Sequence, residues 1–447
     1  MTVCALLFAA CYGWLLHTMD YVSDAERIQP TRERDFYSVG LNYDAGTRTL
    51  RGRQTLTAVN RTGEDMENMV LRLYMNGVNG GSAAVSGVTA NGKGVTFAQD
   101  ENDPTVLTIN RTFAAGETVE LGWTVMIKHP KTDGAAIITL PTLAMLEDGA
   151  WRTDAYDALA EPSYGAALDY EIAHMIVPNG VCAAFGGTLV GAVIDNSPVY
   201  TAQMRMARDI SFALLNDGWE KHKDVSGVRV RALSQDSGTA KKLLEAAQAA
   251  LESLREIGID YPFDALTVAD GDTARADGMV YSGLIALDAD ADKETLIRKL
   301  TRLIARQTFG ILVENDPWNA PWLSETLASS AELLAYRARK GAAAYEERFY
   351  GEIELATRVT RPVGVGVGAT TAHFGTDGEM TQVLRDQGAA MLLGVEQAVG
   401  EEAFLRALNL YIDRCAGKKG TMEALCAALE QATGSRWDGY ISDMLAF

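Results

Sequence analysis

The stretch from Thr301 to Glu325, T-R-L-I-A-R-Q-T-F-G-I-L-V-E-N-D-P-W-N-A-P-W-L-S-E, constrains the chain more than any other. Arg302 and Arg306 stand four apart in an apolar pattern that includes Leu300, Ile304 and Ala305, so a helix here projects both guanidinium groups from one face. Glu325 follows Arg306 after eighteen intervening residues, in a second helical run that begins near Trp322. Taken alone, an arginine pair at this spacing is ordinarily a solvated face, and Leu303 between them is ordinarily core.

Two further segments carry the same kind of pattern. Asp277 to Leu284 reads D-G-M-V-Y-S-G-L, and Leu384 to Leu392 reads L-R-D-Q-G-A-A-M-L. With Q-T-F-G (Gln307 to Gly310) and W-L-S-E (Trp322 to Glu325), they resemble the gluzincin zinc aminopeptidases, the family of aminopeptidase N, and the resemblance runs over nearly the whole chain after about residue 36. In that family H-E-x-x-H supplies two zinc ligands and the general base, and a later Glu on the second helix supplies the third ligand. The resemblance places Arg302 and Arg306 at the two histidines, Leu303 at the base and Glu325 at the retained third ligand. It places Gly278, Met279 and Val280 in the segment that grips the substrate's free amine, with Val280 where the gripping Glu belongs, and Arg385 at the Tyr that supports the oxyanion.

These replacements have definite chemistry. A peptidase zinc needs neutral imidazoles or carboxylates and a polarised water. Guanidinium keeps its proton and has no lone pair to give, two cations repel Zn²⁺, and Leu303 cannot accept a proton. Zinc is the cofactor the resemblance implies; with its ligands replaced, the expectation is no cofactor, no metal residues and no catalytic residues. A lone carboxylate in a cleft is costly, roughly 3–5 kcal/mol, and a guanidinium fork matches its geometry. Glu325 is therefore expected to pair with Arg302 or Arg306, which take over as the counter-charge that joins the two helices.

The fold class implied is α+β: an N-terminal β-sandwich or saddle domain, then a thermolysin-like, mostly helical domain of the catalytic type. Short alternating runs such as Thr55 to Asn60, Met69 to Met75, Thr105 to Ile109 and Glu117 to Ile127 read as strands. The domains are residues 1–35 as a signal or anchor segment and linker, 36–217 as the β domain and 218–447 as the peptidase-like domain, helical from about 340. An amphipathic helix is expected over 238–257. Helices are then expected over Trp322 to Lys340, Ala342 to Val359, Asp386 to Val399, Glu401 to Cys415 and Met422 to Ala432, with a short one near Phe447. Alternate glycines in Arg361 to Thr371 lack the following G-K-S/T of a phosphate loop and read as a cleft-side loop.

Function is read as a catalytically inactive homologue of a zinc-dependent aminopeptidase, a bacterial cell-envelope protein that binds a peptide or protein in the former cleft. One alternative is an active aminopeptidase-type hydrolase with a rearranged site, for which His373 is the nearby histidine; the other is a purely structural interaction domain. A formal charge of −19 disfavours nucleic acid and anionic lipid as partners. The five cysteines and five histidines show no zinc-binding spacing.

Residues 3 to 16, V-C-A-L-L-F-A-A-C-Y-G-W-L-L, are shorter than the ~20 residues that span a bilayer and read as a signal-peptide core, so the protein is expected to be exported or membrane-anchored through this segment alone. F-A-A-C ending at Cys11 faintly resembles a lipoprotein processing site. A chain begun near Asp24 should stay soluble and keep its melting temperature; a large drop in a thermal melt would show that the run packs as a core helix.

Overall fold

The computed structural model describes residue 28 and residues 30–160, 164–194, 197–271, 273–357 and 365–446. The hydrophobic run at residues 3–16, Cys4 and Cys11 lie outside these. Among the described residues no helix is long and apolar enough to cross a bilayer. The chain divides into two compact units. The first holds residues up to Lys131, then Ala136–Thr153 and Gly165–Gly218; the second holds Thr132–Ala135, Asp154–Tyr164 and Trp219–Phe447.

The first unit is β-rich. Its largest sheet has eight strands in the order Thr188–Ile194, Ser197–Ala207, Leu168–Ile176, Asp35–Asp44, Thr49–Val59, Thr118–Lys128, Ser82–Ala90 and Lys93–Gly94. Alternation decides which face is buried: in Thr118–Lys128, Val119, Leu121, Trp123, Val125 and Ile127 point inward while Thr118, Glu120, Thr124 and Met126 point out. The inward face is not wholly apolar, and its polar groups are satisfied. Trp123 Nε1 donates to Gln54 Oε1 at 3.2 Å, and Gln54 Nε2 donates to the Pro141 carbonyl at 2.7 Å. The run at Met69 does not stay extended to Met75 as expected; the strand ends at Arg72, and Tyr74–Asn76 forms a 3₁₀ turn whose Tyr74 and Met75 are buried.

The second unit opens with a five-stranded mixed sheet in the order Trp219–Val225, Val228–Ser234, Ala265–Asp270, Leu284–Leu287 and Met279–Tyr281. Ser226 and Gly227, both with positive φ, form the two-residue hairpin turn that the strand twist favours. Helix α1 (Ser237–Glu256) makes the crossover to the parallel neighbour, capped by Asp236, whose carboxylate accepts from Thr239 N. Beyond the sheet come α2 (Lys293–Arg306), α3 (Trp322–Lys340), α4 (Ala342–Arg348), α5 (Gly388–Val399), α6 (Glu401–Cys415), α7 (Met422–Thr433) and α8 (Asp438–Ala446). The α+β architecture expected from the sequence is the one observed: a β-rich region followed by a helical one.

Helix phase departs from expectation at two places near the site. The run from Ala342 is not one α-helix: after α4 it turns π-helical over Phe349–Ile353 and ends as Glu354–Thr357, with residues 358–359 outside the described residues. The helix expected from Asp386 begins earlier, at Asp377–Met380 under a Thr376 cap that accepts from Glu379 N, and passes through π-helical Thr381–Gln387 into α5. A π turn adds a residue to the repeat and so rotates the next part of the helix about its axis. Arg385 sits in one such stretch, and Arg348, beside the other, faces Glu332.

The segments Gln307–Gly310 and Asp277–Leu284 are joined by one side chain. Gln307, fully buried, accepts from Gly283 N at 3.0 Å through Oε1 and donates from Nε2 to the Tyr281 carbonyl at 2.9 Å. It thereby satisfies the turn between the last two strands of the sheet, where Gly283 takes φ 68°. A similar constraint acts where the helices meet. A Cβ at Gly388 would lie 2.3 Å from Thr326 Oγ1, and Thr326 Oγ1 donates to the Leu384 carbonyl at 2.7 Å. The residue after Glu325 thus holds the helix that carries Arg385 at close range.

Candidate functional site

Helix α2 begins at Asp292, whose carboxylate accepts from Glu294 N and Thr295 N, and it carries Lys299, Arg302, Leu303 and Arg306. Helix α3 carries Glu325 in its first turn, where the free backbone N–H groups favour a negative charge. The loop before the edge strand carries Arg275 and Asp277, and the π-helical stretch carries Arg385.

The expected pairing at Glu325 is present, through Arg306: Nη2 lies 3.2 Å from Glu325 Oε1. A second arginine, absent from the sequence reading, is closer. Arg275 Nη1 donates to the same oxygen at 2.6 Å, and its Nε donates to Asp377 Oδ1 at 3.2 Å. The three side chains are sealed, with Glu325 3%, Arg306 2% and Arg275 3% exposed. Burial alone would raise the Glu325 pKa, but the charges of Arg275 and Arg306 and the Arg275 hydrogen bond bring it down from 4.5 to about 2.

Arg302 is engaged elsewhere. Its Nη2 lies 3.0 Å from Asp277 Oδ2, the oxygen to which Arg385 Nη1 also donates, so one carboxylate serves two guanidinium groups. Arg385 further donates from Nε to Asp386 Oδ1 at 2.8 Å. Burial works against the charge of Asp277, yet Arg302 and Arg385 hold its pKa well below the usual carboxylate range. The contact expected between Glu325 and Arg302 or Arg306 is thus made by Arg306, which shares it with Arg275, while Arg302 and Arg385 grip Asp277. The physical reason is placement, since Asp277 and Arg275 flank the two helices from the sheet side and offer each helix its own partner.

The remaining positions named from the sequence are core. Leu303 and Val280 are 0% and 2% exposed, and Met279 is buried in the edge strand where Val280 pairs with Ile285. Gly278 takes φ 111°, and a Cβ there would meet the Ala286 carbonyl oxygen at 2.7 Å and Leu303 Cδ1 at 3.0 Å. Burying Leu303 against this strand contributes about 1.5–3 kcal/mol. His373 is exposed, with Nδ1 2.8 Å from Thr370 Oγ1 in the same short helical turn.

These residues do not fit a zinc ion. Two guanidinium groups stand where lone pairs are needed, the Oε1 of Glu325 is taken up by two arginines, and among the described residues no three His, Cys, Asp or Glu side chains gather at metal-binding distance. What the arrangement does is neutralise buried charge. Arg275 and Asp377 escaped the sequence reading because each lies in a loop or short turn with no periodicity to place it, and their pairing spans 102 residues.

The comparisons agree with this fold. Residues 278–445 match the peptidase family M1 domain. Aminopeptidase M1-B of Oryza sativa subsp. japonica is 24% identical over 229 residues, covering 47% of this chain and 26% of that protein. Aminopeptidase N of Lactobacillus delbrueckii subsp. lactis is 28% identical over 229 residues, 46% of this chain and 27% of that one. Each alignment thus takes in about a quarter of the curated relative. The M1 zinc metallopeptidase from Deinococcus radiodurans superposes with a TM-score of 0.67 at 19% identity, over 92% of this chain and 93% of that one.

Removing one partner of a sealed ion cluster leaves the survivors desolvated and unpaired. Glu325→Gln should destabilise the protein by on the order of 2–4 kcal/mol in urea melts, and adding Arg275→Met and Arg306→Met should recover part of the loss; an unchanged midpoint for Glu325→Gln would show that the cluster holds nothing together. The sign with pH comes from the depressed Glu325 pKa. Its contribution is complete above 4.5 and is lost as pH falls through the window toward about 2. Urea midpoints of the parent should fall across that window, and the parent-minus-variant difference should shrink with it.

Proposed function

We propose that this chain, whose residues 278–445 match the peptidase family M1 domain, is a catalytically inactive homologue of a zinc-dependent aminopeptidase. In this reading it is an exported or membrane-anchored protein of the cell envelope that binds a peptide or protein. The observation that carries the reading is the convergence of Arg275 and Arg306 on Glu325, the one ligand position that keeps an acid. Arginines there supply the positive charge by which a divalent ion would otherwise balance the carboxylate, and they supply it without any capacity to activate water. Leu303, sealed between the helix and the edge strand, leaves the base position apolar.

Peptide binding is supported from two sides. A mutant of the M1 zinc metallopeptidase from Deinococcus radiodurans, a structural neighbour, has been seen bound to a Tyr-Ser-Ala substrate. In the present chain the Asp277 side of the cluster stays partly open: Arg385 is less deeply buried than Arg302, Arg306 or Arg275. A fold that keeps the neighbourhood of its cleft while replacing its chemistry retains shape for recognition and not for turnover.

Elemental analysis of the purified protein should find no stoichiometric zinc, and chromogenic aminoacyl substrates should not be turned over with or without added zinc. One equivalent of metal, or turnover that a chelator abolishes, would overturn the inactive reading.

A further inference from the structure

The Asp277 side of the cluster borders a cavity of about 250 Å³ between α2, α3 and the two π-helical stretches. At the ~30 Å³ that one water occupies in the liquid, it has room for about eight waters. That is space for one terminal residue and not for a whole peptide. Its lining is charged, and the charges sort into two groups.

One end is balanced. Arg348 forks onto Glu332 at 2.7 and 2.8 Å, and Arg298 Nη2 donates to Glu352 at 2.9 Å. At the other end Lys299, Arg302 and Arg385 stand with Asp277 and Asp386, and over the whole lining five cations, those three with Arg298 and Arg348, meet four carboxylates, those two with Glu332 and Glu352. Lys299 Nζ donates to the Ala276 carbonyl at 3.1 Å, and among the described residues no carboxylate lies within ion-pair distance of it. Two buried polar atoms of the lining also have no hydrogen-bond partner, Arg302 Nε and Ser329 Oγ. A buried donor left unmatched ordinarily marks a missing acceptor.

We propose that this cavity receives a carboxylate, held by Lys299 and Arg385 at the cavity and supported by Arg302 behind them. The proposal rests on the peptide-binding reading and sharpens it. The resemblance to the aminopeptidases implies a segment that grips a free amine through a Glu, and here Val280 stands at that Glu while the surplus charge is positive. An ammonium would meet like charge, whereas a carboxylate brings the one negative charge that the site lacks. The protein as a whole carries −19, so attraction to an anion is a local property of this end of the cavity and is expected to be short-ranged.

Calorimetric titration of the full chain with four peptides decides it: N-acetyl-trialanine, its C-terminal amide, trialanine amide with a free amine, and N-acetyl-Ala-Glu-Ala amide. The acid should bind about tenfold tighter than either trialanine amide. Lys299→Met and, separately, Arg385→Met should each weaken the acid by about tenfold and leave the two trialanine amides unchanged. Lys299 is partly exposed, so its variant keeps the test sound should Arg385→Met fail to fold. Tight binding of the glutamate peptide as well would extend the site to side-chain carboxylates; its absence would confine the site to a chain terminus, and both outcomes sustain carboxylate recognition. Trialanine amides that bind as tightly as the acid would overturn the carboxylate proposal and leave peptide binding intact, and no binding by any of the four would overturn both.

Discussion

A carboxylate sealed in protein must be answered by positive charge, and Glu325 is answered twice, by Arg306 from the preceding helix and by Arg275 from the loop before the edge strand. Sheet, α2 and α3 meet at this oxygen. The desolvation cost of three buried charges is large, and nothing apolar could repay it locally; mutual attraction and the Arg275–Asp377 contact do so at short range. The apolar core then packs around a fixed point. Leu303, Phe309, Leu327 and Leu384, all fully buried, belong to one continuous cluster whose helices the charged contacts hold in register.

A metal at such a position works by a similar rule and with a different consequence. A divalent cation gathers ligands from two helices and keeps one coordination position open, so that binding energy and reactivity come together. Guanidinium groups gather elements through hydrogen bonds and offer no coordination position, so they supply cohesion alone. The planar fork also imposes direction that an ion does not. Arg275 can serve Glu325 through Nη1 and Asp377 through Nε at once, thereby tying a third segment to the pair.

Much of this was legible in the sequence where the physics is local. The four-residue spacing of Arg302 and Arg306 predicts one helical face, and both arginines do face carboxylates, though different ones. Trp322–Lys340 and Glu401–Cys415 have the expected bounds because Gly341 and Gly400, at φ 86° and 85°, punctuate them. The π-helical stretches were not legible, since an added residue per turn changes phase without changing composition. Nor was the role of Arg275, because a loop residue has no period and its partners Glu325 and Asp377 lie 50 and 102 residues away. The sense of the charge at the site could be read, but not which arginine would meet which acid.

The segments Q-T-F-G and W-L-S-E have a mechanical role. Gln307 satisfies the turn at Gly283, and so fixes the loop and edge strand that carry Arg275, Asp277 and Gly278. Ser324 Oγ accepts from Asn315 Nδ2 at 3.0 Å and donates to the Pro321 carbonyl, setting the start of α3 and hence the height of Glu325. Thr326, one residue on, holds the helix that brings Arg385 to Asp277. These contacts position a constellation without depending on what the constellation is made of. None of these contacts involves the side chains of Arg302 or Arg306, so the scaffold does not depend on what those two positions carry. What then limits the centre is charge: Arg275, Arg302, Arg306 and Arg385 match Glu325, Asp277, Asp377 and Asp386 four to four, with the positive charge of Lys299 to spare.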